Sequence, residues 1–114
     1  MTKNQSPPSL PNIKNLSDDA GYFERITWAR EVMGLGESAT LSEINDKSRD
    51  LLKKWHPDTS NVDSKTSHHL IKQILQARDI LDGYCAQYKF SFSQKEVEKY
   101  LSPREWFIKR FGDN

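Results

Sequence analysis

Apolar positions recur at three- and four-residue intervals over most of this chain, and the intervals break where proline, glycine or a polar cluster falls. Tyr22, Ile26, Ala29 and Met33 follow one another at i, i+4, i+7 and i+11, which is one face of a helix. Ser17, followed by Asp18 and Asp19, predicts the start of that helix. A side-chain oxygen there can cap free amides, and acids suit the positive end of the helix dipole. Gly34 and Gly36 predict its stop. A second stripe runs through Leu41, Ile44, Ser48, Leu51, Leu52 and Trp55. It opens on Thr40-Leu41-Ser42-Glu43, a capping box in which Thr40 and Glu43 satisfy each other's backbone amides. Pro57 fixes its own φ and disfavours helical geometry at His56, so this helix must finish near Trp55.

Thr59 to Ser67 is polar and predicts a loop. A third helix is expected over 67–88, with Ile71, Ile74, Ala77 or Arg78, Leu81, Tyr84 or Cys85, and Tyr88 on one side. Its stripe matches the second in length, and a connection of about ten residues lets the two pack antiparallel as a hairpin. Beyond Tyr88 the period changes. Lys89-Phe90-Ser91-Phe92 alternates and is expected to be extended. Ser93-Gln94-Lys95-Glu96 and Ser102-Pro103-Arg104-Glu105 are two further capping boxes, the second with proline at the favoured first helical position. They predict short helices over 94–101 and 103–111. Trp106, Phe107, Ile108 and Phe111 are expected to pack outside the hairpin and the long first helix, and Phe90 and Phe92 likewise. The alternative is an exposed aromatic patch that recruits a client or partner. Residues 1–16 hold three of the five prolines and show no helical period, so they read as a flexible leader. The predicted class is all-α.

Composition narrows the function. One domain of 114 residues, 35% hydrophobic and 29% charged, has a lean core and a well-solvated surface. Seventeen basic against sixteen acidic residues leave a net charge of +1, which argues against a nucleic-acid binder. Cys85 is the single cysteine, so an internal disulfide and a thiolate metal cluster are excluded, and its place on an apolar face predicts an inert thiol. His68 and His69 are adjacent on a helix and point about 100° apart, a poor geometry for one metal ion. Neither metal nor cofactor is expected. No apolar run approaches membrane-spanning length, and Met1 to Leu16 lacks a secretory core, so a soluble cytoplasmic protein without membrane contact is expected.

The chemistry that remains lies at His56-Pro57-Asp58, at the tip of the predicted hairpin. Packing gives little reason for a histidine, a rigid imino acid and a carboxylate there. A capped turn would use Pro57 to stop the helix and Asp58 for a local backbone bond. A hydrolase using His56 and Asp58 would need a nucleophile, a pocket and oxyanion donors, and the pattern offers none. No enzyme is predicted.

From about Ile26 to Tyr88, a little over half of the chain, the sequence resembles a J-domain, the module of DnaJ-type cochaperones. Four stretches carry the resemblance: Glu31-Val32-Met33-Gly34-Leu35, Ala39-Thr40-Leu41-Ser42-Glu43-Ile44, Leu51-Leu52-Lys53-Lys54-Trp55-His56-Pro57-Asp58, and Ile74-Leu75-Gln76-Ala77-Arg78-Asp79-Ile80-Leu81. Their order and spacing make it specific. The resemblance implies docking on a DnaK-type chaperone and stimulation of its ATP hydrolysis. Asp58 would pair with an arginine of the chaperone, His56 would hydrogen-bond beside it, and Pro57 would fix their angle. Arg49, Lys53 and Lys54 would supply the positive face that steers docking. Together with the reading of the flanking residues, the expected organisation is a 1–16 leader, a 17–88 J-domain and an 89–114 helical extension packing on it. Three departures bear on docking. Asn45 and Asp50 stand where the family often has basic residues, and Ser48 replaces a common tyrosine. The family's basic fourth helix, Gly/Phe-rich linker and Cys-x-x-Cys module have no counterpart here. The rival expectation is a J-like adaptor that docks without activating.

Overall fold

The computed structural model describes residues 15–100 and 103–112, and the side chains of residues 103, 106, 109 and 111 lie outside that description. So do residues 1–14 of the leader expected over 1–16, the cap expected of Ser102 and the packing expected of Trp106 and Phe111. The order is α1 (Tyr22–Met33), α2 (Leu41–Lys54), α3 (Ser64–Gln87), α4 (Gln94–Glu98) and α5 (Pro103–Phe111). Helices make up all the regular structure of the described residues, and the all-α class is as predicted.

Local chemistry sets most of the boundaries. α2 starts where its capping box demands: the Glu43 amide donates to Thr40 Oγ1 at 3.0 Å, and the Thr40 amide donates to Glu43 Oε1 at 2.7 Å. α1 ends at Gly34, whose φ of 69° is open to glycine at little cost. That turn lets the Gly34 and Leu35 amides reach back to the carbonyls of Glu31 (3.1 Å) and Arg30 (3.0 Å).

Two starts differ from expectation. α1 begins at Tyr22 and not behind Ser17. The Ser17 hydroxyl bonds the Asp19 carboxylate, holding it below its usual range, and the Ala20 amide closes a turn on the Ser17 carbonyl at 3.2 Å. That local bonding removes the cap. Gly21 takes the position instead, its amide donating to Glu24 Oε1 at 2.7 Å. α3 begins at Ser64, earlier than the loop reading allowed, with Asp63 as the extended residue ahead of it.

The core is a three-helix arrangement around α3. Trp28, Ala29, Val32 and Met33 of α1 meet Leu70, Ile74, Ala77 and Leu81 of α3, while α2 adds Ile44. α3 packs more extensively on α1 than on α2, so the α2–α3 hairpin is the lesser of its two contacts. The sequence reading placed the emphasis the other way. α2 is narrower because Ile44 and Ser48 are the residues it buries outright. α1 lies antiparallel to α3, since the Tyr22 ring at its start stands 6.4 Å from that of Tyr84 near the end of α3. Tyr22, Leu41 and Tyr88 are exposed and fall outside the core that their periodicity suggested.

For Phe90, Phe92, Phe107 and Ile108 the expectation of packing is not met. Residues 88–93 have no regular structure, and α4 ends at Glu98. Phe90, Phe92, Phe107 and Ile108 are all exposed, Phe92 by 88%. The two C-terminal helices are short, and among the described residues neither packs broadly on the three-helix body. Short helices with no facing layer have nothing against which to bury an apolar side.

Candidate functional site

α2 must end before Pro57, and it ends on a buried anchor. The Trp55 amide donates to the Leu51 carbonyl at 3.0 Å, and the indole is 2% exposed. The Lys54 ammonium lies 5.3 Å from the centroid of that ring. Trp55 thus fixes the point from which the next three residues leave the body.

His56, Pro57 and Asp58 then form a tight turn. The His56 carbonyl accepts from the Thr59 amide at 3.0 Å and the Ser60 amide at 2.9 Å. The Asp58 amide donates to His56 Nδ1 at 3.0 Å. A ring nitrogen that accepts carries no proton, so the neutral imidazole bears its proton on Nε2 and has a donor to offer. The Asp58 carboxylate stands in solvent, 87% exposed, with Oδ2 3.8 Å from His56 Nδ1. Beyond the turn, Thr59 Oγ1 donates to the Lys53 carbonyl at 2.8 Å, and the Ser60 and Ser67 hydroxyls are 2.8 Å apart.

Five of the six residues singled out from sequence therefore adjoin one another: Lys53, Lys54, His56, Pro57 and Asp58. Lys53 and Lys54 are exposed. Arg49 is exposed too, four residues before Lys53 and on the same face, but its guanidinium is bonded to the Asp46 carboxylate. Sequence reasoning treated Arg49 as a free cation and missed that partner, although Asp46 at i−3 was the signal for it. Of the departures from the family pattern, Asn45 and Asp50 lie on the exposed face. Ser48 is buried against the core, so it bears on packing and not on surface charge. Thr59 and Ser60 were read only as loop.

Other candidate chemistry lies elsewhere. His68 and His69 are both exposed on α3, and no group of three potential metal ligands occurs among the described residues. Cys85 is partly buried against the core, and burial, helped by Asp82, pushes its thiol pKa up. A thiol that stays protonated is a poor nucleophile. No described helix is long and apolar enough to cross a membrane.

A turn of this sequence, carried between two helices on a three-helix body, invites comparison with known proteins. The family model for the DnaJ domain matches residues 15–84. The chain belongs to the DnaJ domain family. This is a family of cochaperones whose members partner with DnaK-type chaperones. Among the similar proteins is the chaperone protein DnaJ of Thermosipho melanesiensis, 35% identical over 51 residues, covering 45% of this chain and 14% of that one. The chaperone protein DnaJ of Cupriavidus pinatubonensis is 38% identical over 64 residues, covering 56% and 16%. An uncharacterized 19.0 kDa protein of Sinorhizobium sp. is 39% identical over 59 residues, covering 50% and 34%. The chain thus spans at most about a third of the length of these relatives. No solved structure matches. The DnaJ domain match begins at residue 15, where the described residues also begin, and ends inside α3, so α4 and α5 lie beyond it.

Proposed function

We propose that this protein is a cochaperone that docks on a DnaK-type chaperone through His56, Pro57 and Asp58 and stimulates its ATP hydrolysis. The observation that carries the reading is the turn itself: its backbone is held by bonds from Asp58, Thr59 and Ser60 to His56, while the Asp58 carboxylate is left to solvent. A preorganised carboxylate of this kind suits a single strong, charge-assisted bond to an arginine of the partner. His56 offers Nε2–H beside it, and Pro57 holds the angle between them. Lys53 and Lys54 flank the turn and steer approach to an acidic surface. Arg49 joins them only when its exposed pair with Asp46 opens, at a cost of about 1 kcal/mol or less.

The protein does no chemistry of its own in this reading. Stimulation comes from binding one conformational state of the chaperone better than the other. The exposed rings of Phe90, Phe92, Tyr100 and Phe107 are surfaces on which a client or recruiting protein can dock. Nucleic acid and membrane are not partners, and we place the protein in the cytoplasm. A second reading, an adaptor that docks without activating, is favoured by the charges on α2. Asp46 engages Arg49, and Asp50 stands four residues before Lys54, which weakens a positive face already balanced at four basic residues to three acidic.

Single-turnover ATP hydrolysis by a DnaK-type chaperone separates the two. The wild-type protein is expected to accelerate hydrolysis, and His56→Gln is expected to abolish the effect. Asp58→Asn should raise the concentration needed by about thirty-fold or more, the equivalent of ~2–5 kcal/mol for truncating a desolvated charge pair. Binding without acceleration by the wild type would establish the adaptor instead.

A further inference from the structure

The bonds around the docking turn fall into two sets. One set is internal: the Asp58 amide to His56 Nδ1, and the Thr59 and Ser60 amides to the His56 carbonyl. These fix the shape of the turn but not its direction relative to the helices. The second set is external and made by two hydroxyls. Thr59 Oγ1 donates to the Lys53 carbonyl in the last turn of α2 at 2.8 Å, its longer 3.5 Å approach to the His56 carbonyl being secondary, and so closes a loop around His56, Pro57 and Asp58. Ser60 Oγ meets Ser67 Oγ, which is fully buried on α3. One tether runs to each arm of the hairpin.

We infer that Thr59 is a positioning residue, whose hydroxyl clamps the docking turn to α2 and so sets the Asp58 carboxylate in register with Lys53 and Lys54. The inference rests on the cochaperone reading. The Lys53 carbonyl is among the last four of α2, which have no amide partner within the helix. Thr59 therefore takes a carbonyl that the helix leaves vacant and turns it into a fixed point for the loop. Pro57 stiffens the near side of the turn, Thr59 closes the far side, and the buried Trp55 sits at the base. A partner that must meet Asp58 and the two lysines at once gains from this, because less orientational freedom is lost on docking.

Thr59→Val removes the hydroxyl and keeps the shape, and Thr59→Ser restores the donor. Thr59 is exposed, so neither variant threatens folding. Ser60→Ala is the poorer test, because it strands the buried Ser67 hydroxyl. Two readouts are needed. Backbone N–H residual dipolar couplings of Asp58, Thr59 and Ser60, compared with those of α2, report whether the turn moves rigidly with the helix. Chaperone ATPase titrations report docking.

In Thr59→Val the turn couplings should shrink while those within α2 and α3 stay unchanged. The half-stimulating concentration should rise about three- to tenfold, as for one hydrogen bond, with the maximal rate kept. Thr59→Ser should match the wild type in both. A stabilising role alone would not move the couplings selectively. Unchanged couplings in Thr59→Val overturn the clamp, and reduced couplings with unaltered titration overturn its role in docking. If the wild type stimulates nothing, the cochaperone reading falls, and the couplings alone then decide whether the clamp exists.

Discussion

Residues 55–63 and residues 88–93 are both irregular connections that follow a helix and lead into another, and each carries aromatic and hydroxyl side chains. They behave oppositely. The first tucks Trp55 into the core and ties itself to α2 and α3 through Thr59 and Ser60. The second leaves Phe90 and Phe92 in solvent, and its Ser91 and Ser93 hydroxyls bond each other at 3.1 Å. The first spans two helices that already pack together, so Trp55, Ser60 and Val62 meet a facing surface. The second leads into two short helices that lack one. Aromatic content therefore says little about burial unless a second layer lies opposite.

The largest expected effect tests that contrast directly. Trp55→Ala should destabilise the protein by about 3–5 kcal/mol in urea unfolding, as for other buried aromatic truncations. Phe92→Ala should stay within about 0.5 kcal/mol of the wild type. Comparable losses for the two would mean that the C-terminal segment shares the core.

A smaller effect separates two caps of the same chemistry. Thr40→Ala removes a hydroxyl that accepts from the Glu43 amide, and Ser93→Ala one that accepts from the Glu96 amide. The first should lower global stability by about 1 kcal/mol, because α2 is packed. The second should leave the unfolding midpoint in place and only speed amide exchange across α4. A shifted midpoint for Ser93→Ala would couple α4 to the body.

The smallest effect concerns acid. The Thr66 side chain holds the Asp63 carboxyl below its usual 3.8, ahead of α3. A carboxyl depressed in the folded state contributes stability that is present above 3.8 and is lost as pH falls below 3.8 through the folded value. Asp63→Asn keeps the size and shape of the side chain without the titration. Its stability should therefore decline less steeply than that of the wild type below pH 3.8, and parallel curves would remove Asp63 from the acid response.

Much of the body was legible because short-range chemistry wrote it. Thr40 with Glu43, Gly34, Pro57 and Ser93 with Glu96 each act within a few residues, and each boundary they mark is where the structure has it. The failures have the same origin. Ser17 carried the residue type of a cap, but Asp19 two residues on was a competing acceptor. Glu24 caps α1 from inside, because its carboxylate three residues on accepts the Gly21 amide. Arg49 looked like a docking cation until Asp46 was seen to bond it.

Sequence alone determined that the chain is helical, where α2 stops, and that His56-Pro57-Asp58 falls at that stop, since capping, proline sterics and 3.6-residue periodicity act along the chain. Tertiary structure decided that α3 leans chiefly on α1, that Ser48 is inside while Tyr22 is outside, and that Phe90, Phe92, Phe107 and Ile108 stay in water. It also brought Ser60 onto Ser67 and Gln73 onto Asn15, the latter across 58 positions of chain. Those outcomes depend on which surfaces face one another once the helices pack, and the periodicity of a single helix does not specify its neighbour.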